Sequence, residues 1–368
     1  MLSMSIILIV FFITLVIAIL SGLVFLIPSA PIKYIKIHLY LIVLPIIISV
    51  IGLLNVSDRE QIGPFTMDHL AWLMGSFILI LGFIIQKFSV RYLIGDRNYR
   101  KYFPLFTLIT SFASIAWLSG DLRLMVLFWG ATLLSLTLLI RVNRSWKIPY
   151  EAAKVSGKSF ALGWLSLLVA VILLYVATGN WHINVTLAND DVITSGMRFI
   201  IDMLIVLAVI VPAAQFPFQS WLIESVAAPT PVSAIMHAGI VNAGGIILTR
   251  FSPVFNDPLA ITILLIIASI SVLLGSGISL VHVDYKRQLV GSTMSQMGFM
   301  LVQCALGVYS AAIIHLILHG VFKATLFLQS GSVVKRFNIP TPPSAKRSYS
   351  WVVLGRCLAI IIRSEEHT

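Results

Sequence analysis

Residues 211–231 read VPAAQFPFQSWLIESVAAPTP. They close an apolar run over 197–226 that is longer than the roughly 20 residues a bilayer requires. The stretch holds Pro212, Pro217, Pro229 and Pro231. Each proline removes an N–H donor and clashes with the preceding turn. The pattern predicts a helix broken at Pro212 and Pro217. The alternative is one long tilted helix with an interfacial tail. Broken backbone is not tolerated against lipid, so a break here must be buried in protein or line a wet cavity. Discontinuous helices recur in ion-coupled transporters.

The rest of the chain fits a membrane setting. It has 368 residues, 59% hydrophobic and only 11% charged, against about 25% charged in a soluble domain. Apolar runs predict spans near 5–27, 37–55, 67–87, 103–119, 122–140, 159–178, 197–226, 231–249, 259–281, 291–308 and 310–334, with a twelfth beginning at 351. Runs of this length exclude an outer-membrane barrel, whose segments are about ten residues. The fold class is therefore all-α and polytopic. The first run is too long for a signal-peptide core and reads as a span.

The net charge of +11 belongs to the loops. One alternating set, including Lys33, Lys36, Arg91, Arg100, Arg144, Lys154, Arg287 and Lys335, holds eighteen basic residues, and the other holds only Arg59, Arg123, Arg198 and Arg250. The positive-inside rule then places the N-terminus outside a bacterial inner membrane. No basic run alternates with aromatics on a soluble segment, so nucleic acid is not an expected partner. Cys304 and Cys357 lie far apart and form no metal or redox pair.

Ionisable groups inside apolar segments are the strongest functional signal. At mid-bilayer each costs about 2.5–3.5 kcal/mol on insertion scales. His315, His319 and Lys323 recur at i, i+4 and i+8 and share one helix face. Imidazole titrates near neutrality and exchanges protons at both nitrogens, which suits a proton path. His237 lies in PVSAIMHAGIVNAGG (231–245), whose small residues permit close packing; alone, it reads equally as a core histidine. Asp284 and Lys286 read as ordinary span-end charges. Asp202 is placed to pair with Arg198 at i, i+4, and Glu224 to face water. SGKS (156–159) lacks the upstream glycine of a P-loop, and no HExxH, GxSxG or CxxC occurs. His315 and His319 could pair on a metal but lack a third ligand. No cofactor is expected in this chain.

Together, FSVRYLIGDRNYRKYF (88–103), AQFPFQSWLIESVAAPTPVSAIMHAG (214–239), DYKRQLVGSTMSQMGFM (284–300) and HLILHGVFKATLFLQSGSVV (315–334) resemble the antiporter-like subunits of respiratory complex I (subunit 5 or L type) and of multisubunit cation/proton antiporters. The resemblance implies inverted five-helix repeats, each with a broken helix. Residues 1–102 would form spans one to three, 103–250 the first repeat (spans four to eight) and 259–362 a second repeat cut short. It also implies that His237, Lys286, His315, His319 and Lys323 lie on a central hydrophilic axis that relays H+ or Na+. Pumping relatives carry Glu where Gly130 stands and Lys where Pro212 stands, so the usual switch of the first half-channel is missing.

HAGIVNAGGIILTRFSP (237–253) and STMSQMGFMLVQCALGVYSAAIIHLILHGVFKATLF (292–327) are similar to a narrower group, the DabB (MpsA) membrane subunits of two-component inorganic carbon transporters. That resemblance implies a peripheral DabA-like partner carrying a carbonic-anhydrase-like zinc, and transport of CO2 or bicarbonate driven by cation entry. The alternative is a proton-translocating subunit of NADH–quinone oxidoreductase or of a multisubunit antiporter. The last residues, RSEEHT (363–368), match what common sequencing-adapter DNA encodes and are expected to be an assembly artefact.

Overall fold

The computed structural model describes residues 3–57, 59–142, 147–188 and 192–330. The end of the eleventh expected span, the twelfth span, residues 331–362 of the expected second repeat and the RSEEHT end lie outside the described residues.

The described chain is helical apart from one small hairpin. Its helices are α1 (Met4–Leu23), α2 (Ile35–Asn55), α3 (His69–Tyr92), α4 (Tyr99–Leu118), α5 (Leu122–Ile140), α6 (Lys147–Thr178), the short α7 (Ile183–Ala188), α8 (Ser195–Ile210), α9 (Ser220–Glu224), α10 (Thr230–Ile235), α11 (Ala243–Phe251), α12 (Pro258–Val281), α13 (Tyr285–Ala305) and α14 (Tyr309–Ser330). Among the described residues nine helical segments are long and apolar enough to cross a membrane, counting α10 to α11 as one. The spans expected at 197–226 and 291–308 fall on α8, shortened to 16 residues by the break, and on α13, 21 residues long and carrying Lys286, Gln288, Gln296 and Gln303. The chain is a multi-pass membrane protein.

Aspartates start the helices. Asp68, Asp121, Asp257 and Asp284 each accept from a backbone N–H in the first turn of α3, α5, α12 and α13. Such caps satisfy donors that a helix start leaves free. Asp68 also pairs with Arg250 at the end of α11, whose Nη2 donates to the carbonyl of Trp117 at 3.0 Å. This ion pair ties the start of α3 to the end of α11.

The hairpin pairs β1 (Glu60–Ile62) with β2 (Phe65–Met67) around Gly63, whose φ of 57° suits glycine. The span reading did not anticipate it; Gly63-Pro64 is the local turn signal. A second difference is the length of α6. Lys147, Lys154 and Lys158 stand on its first turns and not in a loop. Pro149 is the third residue of the helix, where a missing N–H costs nothing.

The break is buried in protein over residues 211–215, whereas Phe216 and Pro217 are exposed. α8 stops at Ile210, Ala214 takes a positive φ of 53°, and the Gln215 N–H returns to the Ile210 carbonyl at 2.9 Å. Neighbouring side chains take up backbone groups that the break frees. Ser271 Oγ on α12 accepts from Phe216 N–H at 2.9 Å, and Trp221 Nε1 donates to the Val211 carbonyl at 2.9 Å. Gln215 Nε2 reaches the carbonyls of Ala213 (2.8 Å) and Met294 (3.3 Å). The broken strand of chain is thereby tied to α12 and α13. Those two helices pack along their length with backbones in contact, because a Cβ on Gly275 would meet the Gly291 carbonyl at 2.7 Å.

Candidate proton relay

The eighth crossing is built in three pieces: α10, a π-helical turn at Met236–Ile240, and α11. A π turn closes i→i+5 bonds and occurs frequently at functional sites. Here Val241 N–H bonds the Met236 carbonyl at 3.2 Å, and the turn carries His237. Asn242 Nδ2 donates to the Ala238 carbonyl at 2.7 Å, leaving its Oδ1 without a protein partner.

His237 is fully buried, its ring stacked on Phe327 of α14 at 4.4 Å between centroids. Neither ring nitrogen has a protein hydrogen-bond partner. α14 approaches closely because residue 320 is glycine: a Cβ there would lie 2.8 Å from the Ala238 carbonyl. His319 is 4% exposed, and its Nε2 likewise has no protein partner. Lys323 is fully buried, and its ammonium donates to the Leu289 carbonyl of α13 at 3.1 Å. Lys286, one turn before Leu289, donates to the Ala228 carbonyl at 3.1 Å. Beside it, a cavity of about 410 Å³ is lined by Glu151, Glu224, Asp284 and Arg287.

At the other end of the stripe His315 is half-buried between two side chains of α13. Its Nδ1 lies 3.2 Å from Gln303 Oε1 and its Nε2 3.0 Å from Gln296 Oε1. The His315 and His319 rings are 6.1 Å apart. The structure thus brings His237, His319 and Lys323 together in one buried seam, with His315 and Lys286 at its two ends. The ion pairs among the described residues, Asp68 with Arg59 and Arg250 and Asp121 with Arg123, all lie elsewhere. A buried cation facing only carbonyl oxygen, beside imidazoles with open nitrogens, is suited to exchanging protons and ill suited to holding a static ion pair.

No group of three His, Cys, Asp or Glu able to hold a metal occurs among the described residues. Both His315 nitrogens face glutamine oxygens, so the His315–His319 pair is not arranged as a metal chelate. Arg198 acts on Asp202 through its charge, as the i, i+4 spacing suggests, but backbone N–H groups hydrogen-bond the carboxylate. Asp202 Oδ2 accepts from the backbone N–H groups of Asn256 (3.1 Å) and Asp257 (2.9 Å), while Arg198 donates to Asn256 Oδ1 at 2.6 Å. The carboxylate caps the loop that starts α12, a geometry the i, i+4 rule does not see.

The sequence gives no spacing signal for the two glutamines that hold His315, beyond a seven-residue interval on one helix. Nor does it point to His38, buried in α2, whose Nδ1 lies 2.7 Å from Ser21 Oγ and whose Nε2 meets Thr107 (3.1 Å) and Gln86 (3.2 Å). This cluster joins the first four helices.

Gly130 and Pro212 meet neighbouring residues of α6. A Cβ on Gly130 would run into the Trp164 indole, whose Nε1 donates to the Val126 carbonyl at 2.9 Å. A Cβ on Gly163 would lie 3.0 Å from the Pro212 ring. Outward of this joint an apolar groove of about 440 Å³ is lined by Leu127, Gly130, Leu134, Phe160 and Trp164.

Comparison with known proteins accords with this geometry. Residues 119–345 match the family described as NADH:quinone oxidoreductase/Mrp antiporter, TM, and residues 63–103 the complex I chain 5 N-terminus. The chain is 60% identical over 363 residues to the probable inorganic carbon transporter subunit DabB of Bacillus subtilis (strain 168), covering 98% of this chain and 72% of that protein. The chain belongs to the DabB family. Identity to DabB1 of Halothiobacillus neapolitanus is 33%, covering 81% of this chain and 57% of that one. A chain of the Mrp complex from Dietzia sp. DQ12-45-1b superposes with a TM-score of 0.79 at 26% identity, covering 95% of this chain and 39% of that chain. An archaeal membrane-bound sulfane sulfur reductase chain shares the fold, with a TM-score of 0.78. The chain therefore has the antiporter-like fold.

Proposed function

We propose that this chain is the cation-conducting membrane subunit of an energy-coupled inorganic carbon transporter. The relatives' description supplies the cargo, CO2 or bicarbonate. The observation that carries the conducting role is the seam of His237, His319 and Lys323, buried and without a carboxylate partner. In this reading a proton enters near His315, passes to His319, is shared with His237, and leaves by Lys323 and Lys286. Each imidazole takes a proton at one nitrogen and releases one from the other. Na+ is the alternative coupling ion.

The working assembly would place this chain in a bacterial cell membrane with its N-terminus outside and its basic loops inside. Residues 103–250 would form one five-helix repeat, and the chain from 259 would begin its inverted counterpart. A peripheral DabA-like subunit would carry the zinc. The respiratory or antiporter reading rests on more distant relatives such as the chloroplastic NAD(P)H-quinone oxidoreductase subunit 5 of Nymphaea alba, 31% identical. Gly130 packed under Trp164 argues against it, because no acidic side chain fits there without moving the indole.

Growth of a carbonic-anhydrase-deficient bacterium in ambient air tests the proposal. Rescue by the complete gene together with its neighbouring partner gene, and by neither alone, is expected. No rescue with both proteins present in the membrane would contradict it.

A further inference from the structure

The apolar groove of about 440 Å³ on the outer side of the α5–α6 joint has no part in the relay. Four small residues hollow it out, Gly130 and Ala131 on α5 and Gly157 and Ala161 on α6. Leu127 and Leu134 on one bank are 58% and 61% exposed, so no described residue of this chain covers the trough. The two helices run antiparallel and meet at two levels. A Cβ on Gly130 would meet the Trp164 indole, and a Cβ on Gly157 would lie 3.1 Å from Thr137 Cγ2. From Leu127 to Thr137 the groove runs about 15 Å along α5, half of the roughly 30 Å hydrocarbon core of a bilayer. It has the depth of one leaflet.

One end of the groove is basic. Leu127, Leu134 and Arg141 recur every seven residues along α5 and its C-cap, as Tyr150, Gly157 and Trp164 do along α6. A seven-residue step drifts only about 20° around a helix, so each set keeps one face. Contact between Arg141 and Tyr150 fits this alignment, with the guanidinium 5.3 Å from the ring centroid. Arg141 Nε is buried and has no hydrogen-bond partner. Lys154 is exposed and lies one turn beyond the Thr137–Gly157 contact on α6, as Arg141 does on α5. The ion pairs among the described residues include neither cation. Glu151 lies on another face of α6, where it lines a cavity with Asp284 and Arg287.

We infer that this groove binds one anionic phospholipid, with an acyl chain over Gly130 and Gly157 and the phosphate on Arg141 and Lys154. The trough matches an acyl chain in length, and the two cations match the charge of a headgroup at its mouth. Guanidinium pairs with phosphate through two parallel N–H bonds, which gives Arg141 Nε the acceptor it lacks. Tyr150 stands at the same boundary, where amphipathic aromatic rings gather. With Glu151 turned to the other cavity, a headgroup amine finds no counter-ion from it. A net negative lipid is therefore favoured over a zwitterionic one. A helix from another protein would have to bring its own anion to Arg141 to be held equally well.

The test uses the complete protein with its partner subunit in vesicles containing lipids brominated on the acyl chain, which quench tryptophan on contact. The chain has eight tryptophans, so the signal of interest is the part of the quenching that Trp164→Phe removes. Brominated phosphatidylglycerol should produce it at a mole fraction about tenfold lower than brominated phosphatidylcholine, because two cations near the headgroup favour the anionic lipid. Arg141→Gln should reduce that preference about fivefold. Ala161→Leu fills the trough from an exposed position, and should weaken quenching by both lipids alike. Native mass spectrometry of the wild-type assembly should find one phosphatidylglycerol per chain retained through a delipidating wash, a readout that stands even if a variant fails to assemble. Equal quenching by the two lipids in wild type, an unchanged preference in Arg141→Gln, or loss of all phospholipid in the wash would each overturn the inference. So would the absence of any Trp164-dependent quenching, which would mean that protein covers the groove.

Discussion

Two joints in this molecule solve the same packing problem in opposite ways. Where α5, α6 and α8 meet, Gly130 lies under the Trp164 indole and Gly163 against the Pro212 ring. The contact is made of shape, with the indole N–H satisfied by Val126. Where the eighth crossing meets α13 and α14, Gly320 also permits close approach, but the space is given to His237, His319, Asn242 and Lys323. Four polar atoms there have no protein partner: both His237 nitrogens, His319 Nε2 and Asn242 Oδ1. Native interiors leave few buried polar atoms unpaired. Under the proposed relay that concentration is the place where protons exchange, at some expense in stability. The first joint gains rigidity, and the second keeps groups that can change protonation state.

The contrast can be broken at either joint. The largest effect is expected at Lys323. Lys323→Met fills the same volume without a charge, so thermal stability of the assembled protein should hold or rise. Cation flux should nevertheless fall about tenfold or more. A stable variant with normal flux would remove Lys323 from the path. At the other joint Gly130→Val forces the Trp164 indole aside. Overpacking of this kind costs about 1–3 kcal/mol, read as a lower melting temperature, and surviving protein should conduct normally. Adding Trp164→Ala should recover part of the loss.

The smallest effect is expected at Asp121, at the start of α5, which serves as a control on ordinary loop electrostatics. Burial pushes its carboxyl up, but the hydrogen bonds and charge of Arg123 outweigh burial and hold it below its ordinary value. A depressed carboxyl stabilises the fold at and above its unfolded pKa, and that stability fades as pH falls through the folded value. Asp121→Asn should lower the melting temperature by about 1–2 °C near neutrality, with the difference vanishing in strong acid. A melting difference that persists unchanged in acid would show that the carboxylate charge contributes nothing.

These joints also show what a linear sequence discloses. The break at Pro212 and Pro217 and the stripe of His315, His319 and Lys323 were legible because both are local: proline ends a helix within a turn, and i, i+4 spacing fixes a face. The Asp caps follow the same local logic. What was not legible depends on distant chain. Nothing near Gly130 announces Trp164, and nothing near His315 announces Gln296 and Gln303. The i, i+4 rule suggested Arg198 for Asp202, whereas the backbone at Asn256 and Asp257 supplies its hydrogen bonds. The π turn that carries His237 has no spacing signal, since it departs from the period by which faces are read.

The central claim is that ions cross this chain through the seam of His237, His319 and Lys323 and not through the joint at Gly130 and Pro212. Proton uptake by vesicles holding the complete protein and its partner, compared between His319→Ala and Pro212→Ala at matched assembly, tests it most directly. The account predicts loss of uptake in His319→Ala and near wild-type uptake in Pro212→Ala. Normal uptake in His319→Ala, or its loss in Pro212→Ala alone, would contradict it.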